Sequence, residues 1–238
     1  MEQMPTRGML IFILVACVCG AGCGSLPRDP KETSRRVEGG RLRVGLVENP
    51  PWVMRTGGEP AGAEVELVRQ FAREVGATPE WHWGGEQQQM EALEHYQLDL
   101  LVGGLTNETP WSKYVGLTSP YFESHVVVGV PASAPALKSV KGVQVAARSG
   151  DAVMSYLESK GAVVVPVEDL SRAGVAVAAP EWQLEQLGLK PTEVELHAEK
   201  HVMAAPPGEN GFIKRLDDFL YARRASVRGL LQQGGAGR

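Results

Sequence analysis

Cysteine is scarce and poorly placed for structure. The chain has three, Cys17, Cys19 and Cys23, all in its first tenth. Everything after Cys23 is cysteine-free, which excludes a disulfide framework, a cysteine-bound metal and a thiol nucleophile in the body of the chain. A large charge of one sign is missing too: the net charge is −4 over 238 residues. No strongly basic face is implied, so nucleic acid is excluded as the main partner. No apolar run is long enough to span a bilayer as a stable helix, since Met9–Val18 (MLIFILVACV) offers only about ten residues. No serine sits in a nucleophile elbow, and the Gly-Gly pairs match no phosphate loop. What remains is a globular composition, 43% hydrophobic and 22% charged, on a length that suits one large domain or two small lobes.

The first segment reads as a targeting signal. Arg7 precedes the apolar run and small residues follow it, which is the signal-peptide pattern. GAGCGS (Gly20–Ser25) resembles a bacterial lipobox, in which the cysteine becomes the lipidated first residue. That places the signal over 1–22 and the lipid on Cys23. LVAC (Leu14–Cys17) fits the usual letters better but leaves a very short signal, so Cys17 stands as the alternative and an ordinary cleaved signal as a third reading. Residues 24–40 (GSLPRDPKETSRRVEGG) are polar and rich in Gly, Pro and charge. They bury too little apolar surface to order themselves and read as a tether. A folded domain then begins near Arg41, and residues 233–238 read as a disordered tail.

Downstream the pattern alternates. Leu42–Val47 is a strand entering a turn at Asn49-Pro50-Pro51. Glu64–Val75 is a helix with Val65, Val68, Phe71, Ala72 and Val75 on one face and Gly76 at its end. Glu80–Trp83, the Glu86–His95 helix and Leu98–Val102 complete a β-α-β-α-β lobe with a mainly parallel sheet. The pattern restarts with strands at Val126–Val130 and Val143–Ala147, a helix at Asp151–Ser159, strands at Val163–Val167 and Val175–Ala178, and a short helix at Trp182–Leu187. A strand at Val202–Ala205 and one long helix over Phe212–Leu231 close the chain. Ligands of open α/β sheets bind beyond the carboxyl ends of strands, so the loops after Val47, Val102, Ala147 and Ala178 are the ones to search.

Those loops carry a resemblance. RLRVGLVENPPWV, GEPAGAEVELVRQFAREVG, LDLLVGGLT, TSPYF and VKGVQVAARSGDAVMSYLES, in this order and spacing, resemble the family 3 extracellular solute-binding proteins, the polar amino acid receptors of ABC importers. The likeness runs from about Arg41 to Ser159 and is weaker from Lys160 to Leu231. It implies a two-lobed α/β Venus flytrap, the type 2 periplasmic-binding-protein fold, with mixed, mainly parallel sheets and flanking helices. The first lobe would be 41–122 plus 200–232 and the second 125–197, closing about a hinge near Phe122–Ser124 and Leu196–Lys200. The second lobe is short, because Val167–Arg172 stands where the family has a fuller helix. The resemblance makes Trp52 an aromatic wall of the ligand pocket and sets Gly103, Gly104 and Thr106 against the ligand's charged ends. The family's carboxylate-gripping arginine falls at Trp111, whose indole cannot replace a guanidinium. Lys113 is a possible substitute only if it points inward. The amine-binding aspartate falls at Ala176, with Glu181 the nearest later acid. Ser149-Gly150-Asp151 opens a second-lobe helix that could take an anion, although Asp151 is a good helix cap.

Together these residues imply a lipid-tethered receptor on the periplasmic side of a bacterial membrane, inner or outer. It would be monomeric, with a small-molecule solute as ligand and an ABC permease as partner, and with no cofactor, metal or catalytic residue. The solute would not be an ordinary α-amino acid. The alternative is a binding-deficient accessory or signalling protein. An enzyme on the same fold would have only Glu181 and Asp151 as an acid-base pair. His197 and His201 lie four apart on a predicted strand, about 13 Å from each other, and read as solvated hinge residues rather than metal ligands.

Overall fold

In the computed structural model, residues 28–135 and 137–235 are described. The first lobe begins with a short helix, α1 (Thr33–Val37), and strand β1 (Arg41–Leu46). A small hairpin of β2 (Met54–Thr56) and β3 (Glu59–Ala61) leads into α2 (Ala63–Val75). Then come β4 (Thr78–Trp83), α3 (Glu86–Glu94), β5 (Leu100–Val102), a 3-10 turn at Pro110–Lys113 and β6 (Gly116–Leu117). The apolar stripe predicted for α2 is its buried face: Phe71 packs edge-on against Phe212 and Phe219 at 5.9 and 5.2 Å. Gly76 stops the helix at φ 70, where its N–H returns to the Ala72 carbonyl.

The second lobe holds β7 (Phe122–Pro131), β8 (Gln144–Arg148), α4 (Val153–Ser159), β9 (Val163–Val167), β10 (Ala176–Pro180), α5 (Glu181–Gln186) and β11 (Leu189–His201). The chain then returns to the first lobe as β12 (Ala204–Ala205), α6 (Asn210–Arg223) and α7 (Val227–Gly235). The first sheet has the order β4-β1-β5-β12-β6 and the second β11-β7-β10-β8-β9. In each, three strands run parallel and the remaining two are antiparallel to their neighbours. Strands β7 and β11 are long antiparallel partners whose pairing continues through Ser124↔Glu199 and Phe122↔His201. This two-strand ribbon joins the two sheets. Val167–Arg172 contributes the end of β9 and a 3-10 turn at Leu170–Arg172.

Three expectations are corrected. Residues 28–40 are not a free tether. The Lys31 and Thr33 N–H groups donate to Glu209 at 2.9 and 3.1 Å, Gly211 N–H donates to the Arg28 carbonyl, and Thr33 and Val37 are buried. The segment is polar, but its polar groups have fixed partners on the first lobe. The single helix expected over 212–231 is two, broken at Arg224–Ser226. The tail is helical as far as Gly235. The signal, Cys17, Cys23 and residues 236–238 lie outside the described residues, and among the described residues no helix is long and apolar enough to cross a membrane.

Asp99 ties α1 to the first sheet. It is fully buried and accepts from Arg43 through the backbone N–H, Nε and a terminal nitrogen, and from Arg36 through both terminal nitrogens. Burial alone would raise its pKa, but the Arg43 and Arg36 hydrogen bonds win and hold it below the usual carboxylate range. The stability this contributes is present above the unfolded carboxyl's pKa and lost as pH falls through the lower folded value. Asp99→Ala is expected to cost about 2 kcal/mol, because both arginines can turn to solvent instead of staying buried and unpaired. Urea unfolding of both chains at pH 7 measures the difference.

Candidate functional site

Between the lobes lies a cavity of about 250 Å³, and against it a second of about 700 Å³. The first lobe contributes Asn49, Trp52, Gly104 and Thr106 to the smaller one, the second lobe Arg148, Asp151 and Trp182, and the β11 strand Glu199 and His201. Arg148, Leu170, Trp182 and Gln183 line both cavities.

Two glycines shape the first-lobe wall. Gly62 has φ +112, and a Cβ there would stand 2.4 Å from the Trp52 carbonyl oxygen. Gly104 has φ +70, and a Cβ would meet the Trp52 ring at 2.7 Å. Only glycine lets the first turn close on the Trp52 backbone and the second on its indole. Trp52, held by its N–H to the Asn49 carbonyl, is buried and stacks on His201 with ring centres 4.0 Å apart and planes at 32°. Phe122 lies across both rings at about 6 Å.

Beneath this wall sits Glu64, in the first turn of α2 and fully buried. Gly103 and Gly104 N–H both donate to its Oε2, at 2.7 and 2.8 Å, and the Tyr121 hydroxyl donates to Oε1 at 2.6 Å. Burial pushes the Glu64 carboxyl up to about 7, although the Tyr121 hydroxyl and the two glycine N–H groups pull it down. Burial, and then Glu64 itself, pushes the Tyr121 hydroxyl up, which keeps it a donor. Burial also drives His201 down to about 4, with the Gly104 backbone opposing, so the ring is neutral at pH 7.

The predicted site residues divide. Trp52, Gly104, Thr106 and Asp151 line the smaller cavity. Gly103 and Gly104 are placed beside the cleft, but their N–H groups end on Glu64, so they are not open donors for a ligand. Trp111 does not face the cleft: it packs with Met90, Leu93 and Leu101 in its own lobe, edge-on to Tyr114. The turn at Pro110–Lys113, whose start is fixed by Trp111 N–H to the Thr109 hydroxyl, aims the indole there. Ser149 and Gly150 are exposed and line neither cavity, and Ser149 N–H is taken by the Val167 carbonyl. Asp151 Oδ1 accepts from Val153 N–H at 2.9 Å, a local turn one residue before the cap position of α4 at Ala152, which carries no side-chain cap. Glu181 starts α5 outside both cavities, near enough to His125 to raise that histidine's pKa after the larger effect of Glu195.

The histidines of β11 are not solvated. His197, Glu199 and His201 alternate onto one side of the strand, with Glu199 between the rings at 3.3 and 3.6 Å. His201 is buried and His197 stacks on Tyr156 at 4.4 Å. Among the described residues no group of three His, Cys, Asp or Glu is set to hold a metal. Glu64, Arg148, Trp182, Glu199 and His201 were not predicted as site residues. One signal was available: Glu64 sits on the same stripe of α2 as Val68, Phe71 and Val75, and an acid on an apolar face needs buried partners.

The profile of the bacterial extracellular solute-binding proteins, family 3, matches residues 42–229. The membrane-bound lytic murein transglycosylase F of Vibrio cholerae is 30% identical over 105 residues, 44% of this chain. That match spans only 19% of the transglycosylase. Among solved structures, the L-cystine solute receptor of Neisseria gonorrhoeae in its unliganded open conformation aligns with a TM-score of 0.69 at 19% identity, over 85% of this chain and 94% of that one. An ancestral cationic amino acid solute binding protein aligns at 0.70 and 17%, over 84% and 97%. Substrate binding domain 2 of Lactococcus lactis GlnP, also open, aligns at 0.64 and 18%, over 87% and 97%. These likenesses establish the type 2 periplasmic-binding-protein fold.

Proposed function

The chain belongs to the bacterial extracellular solute-binding proteins, family 3, and on that premise we propose that it is a membrane-tethered receptor which captures a small solute between its lobes and performs no catalysis. The observation that carries this reading is the inter-lobe cavity, to which both lobes and the connecting strand contribute polar and aromatic side chains. Its size, about 250 Å³, suits a small solute. Trp111 supports a solute held otherwise than an ordinary α-amino acid, since no arginine stands at that place on the first lobe. Acid-base chemistry has little support: Asp151 lines the smaller cavity, but Glu181, its only candidate partner, lies outside both cavities. An ABC permease is the proposed partner and the periplasmic face of a membrane the proposed location. The protein would work as a monomer tethered through Cys23, with Cys17 the alternative. Incorporation of a palmitate analogue into wild type and Cys17→Ser, but not Cys23→Ser, is the expected labelling result.

A thermal-shift screen of the full chain tests the receptor reading. The panel holds amino acids, polyamines, quaternary amines, sugars, small peptides and carboxylates. A bound solute at a hundred times its Kd adds about 2.7 kcal/mol. For a chain of this size that is a rise of roughly 5–10 °C. A saturable rise with one chemical class is expected. A flat response across the panel would favour the second reading, a binding-deficient accessory protein, which the engagement of the Gly103 and Gly104 N–H groups by Glu64 also supports.

A further inference from the structure

Arg148 ends β8 and lines both cavities at their border. Its guanidinium has no hydrogen bond or ion pair among the described residues. None of the acids lining the two cavities lies within ion-pair distance of it. Glu168 and Asp169 line the larger, where Asp169 accepts from Ser171 and pairs with Arg172, and Asp151 and Glu199 line the smaller. Asp169 is close enough that Arg148, after the Ser171 hydrogen bonds, helps to lower its pKa. Trp182 lines the same two cavities, and its indole nitrogen is buried without a partner. An indole N–H can only donate, and a guanidinium carries five donors in a planar fork. Two unmatched donors on one cleft call for an acceptor, and the group that fits a fork bidentately is a carboxylate.

We propose that Arg148 grips a carboxylate of the bound solute from the second lobe, with the Trp182 indole N–H as an additional donor. The inference rests on the receptor reading and deepens it. The acids Asp151 and Glu199 line the smaller cavity, and no lysine or arginine other than Arg148 lines that smaller cavity. A cationic amine is therefore accommodated there, and the solute is a zwitterion. Its carboxylate is then held from the second lobe, whereas the resemblance expects the first lobe to take it at the position of Trp111. That residue packs inside its own lobe. Because Arg148 is exposed and unpaired, its replacement leaves the fold intact.

The test pairs each zwitterion with its neutralised form: alanine, 4-aminobutyrate, 6-aminohexanoate and alanyl-alanine, each as free acid and as carboxamide. Binding is read by calorimetry on full-chain wild type, Arg148→Gln, Arg148→Lys and Trp182→Phe. At least one acid is expected to bind wild type with its amide at least about tenfold weaker. Arg148→Gln should remove that preference by weakening only the acid, Arg148→Lys should restore part of it, and Trp182→Phe, which removes the N–H together with part of the ring, should weaken the acid several-fold more than its amide. If acid and amide bind wild type equally, or Arg148→Gln binds the acid within twofold of wild type, the assignment of Arg148 is wrong and the receptor reading stands. If no probe binds wild type at millimolar concentration while the broader screen finds a solute without a carboxylate, the assignment again falls alone. If neither experiment finds a ligand, both fall together.

Discussion

Glu64→Ala is expected to lower the melting temperature by at least roughly 6–12 °C. Three donors lose their acceptor at once: Gly103 N–H, Gly104 N–H and the Tyr121 hydroxyl. Each buried donor left unmatched costs about 1–3 kcal/mol, so the sum is roughly 3 kcal/mol at the least. For a chain of this length each kcal/mol moves the transition by roughly 2–4 °C. A shift below about 2 °C would mean that water takes over the three bonds and that Glu64 does not organise the cleft wall.

Glu64 also makes a prediction in pH. Its carboxyl is raised from 4.5 to about 7, so the folded state holds a proton that the unfolded chain has lost. Its contribution is fully present below pH 4.5 and falls away as pH rises to about 7, by about 3 kcal/mol. His201 does the opposite. Its pKa is lowered from 6.5 to about 4, so the unfolded chain holds the extra proton, and stability falls by about 3 kcal/mol as pH drops from 6.5 to 4. Between pH 4.5 and 6.5 the two slopes cancel. From these two residues alone, wild-type stability should be level there. Glu64→Gln can still accept from the glycines through its amide oxygen, but it does not titrate. It should expose the His201 slope, with stability rising toward pH 6.5. His201→Phe should expose the opposite slope. Urea midpoints at half-unit steps from pH 4 to 7.5 would show this. Parallel profiles in wild type and both variants would refute the pairing.

The lobes were legible in sequence because their strands are apolar runs and α2 repeats at helical spacing, signals that tertiary context seldom overrides. Less could be read of the site, because its content depends on direction rather than position. Counting residues puts Trp111 in the place where the resemblance expects an arginine. The tight turn at Pro110–Lys113 then sends the indole into Leu93 and Leu101, and no one-dimensional pattern records that. Arg148 simply follows the strand expected at Val143–Ala147, and only the two cavities it lines give its charge a setting. The segment before Arg41 failed for another reason. Composition predicts how much apolar surface a segment can bury, but Glu209 supplies acceptors from 176 or more residues away. The break at Arg224–Ser226 contains neither Gly nor Pro, so the sequence gives no stop signal between α6 and α7.

Trp182→Ala should be the most disruptive change in the second lobe, and its effect should be on how the lobes sit together. Trp182 belongs to α5, yet it is buried in the first-lobe cluster that includes Trp52, Val53 and Leu231. Around it α5 meets α7: Gln186 Nε2 donates to the Gln232 carbonyl at 3.0 Å, Gln232 Nε2 donates to Glu185 at 3.0 Å, and Arg228 pairs with Glu185. The Arg228–Glu185 pair is half exposed, and such pairs contribute about 0–1 kcal/mol. Truncating a buried tryptophan costs about 3–5 kcal/mol. The indole, rather than the ion pair, is therefore what holds α5 against the first lobe. Glu185→Ala is expected to change stability by less than about 1 kcal/mol and to leave the small-angle scattering profile as in wild type. Trp182→Ala should lose several kcal/mol and give a larger radius of gyration, because β7 and β11 then remain as the main connection across the hinge. Equal effects from the two variants would transfer the role to the polar contacts. A stability loss with an unchanged radius would confine Trp182 to packing within a fixed arrangement of lobes.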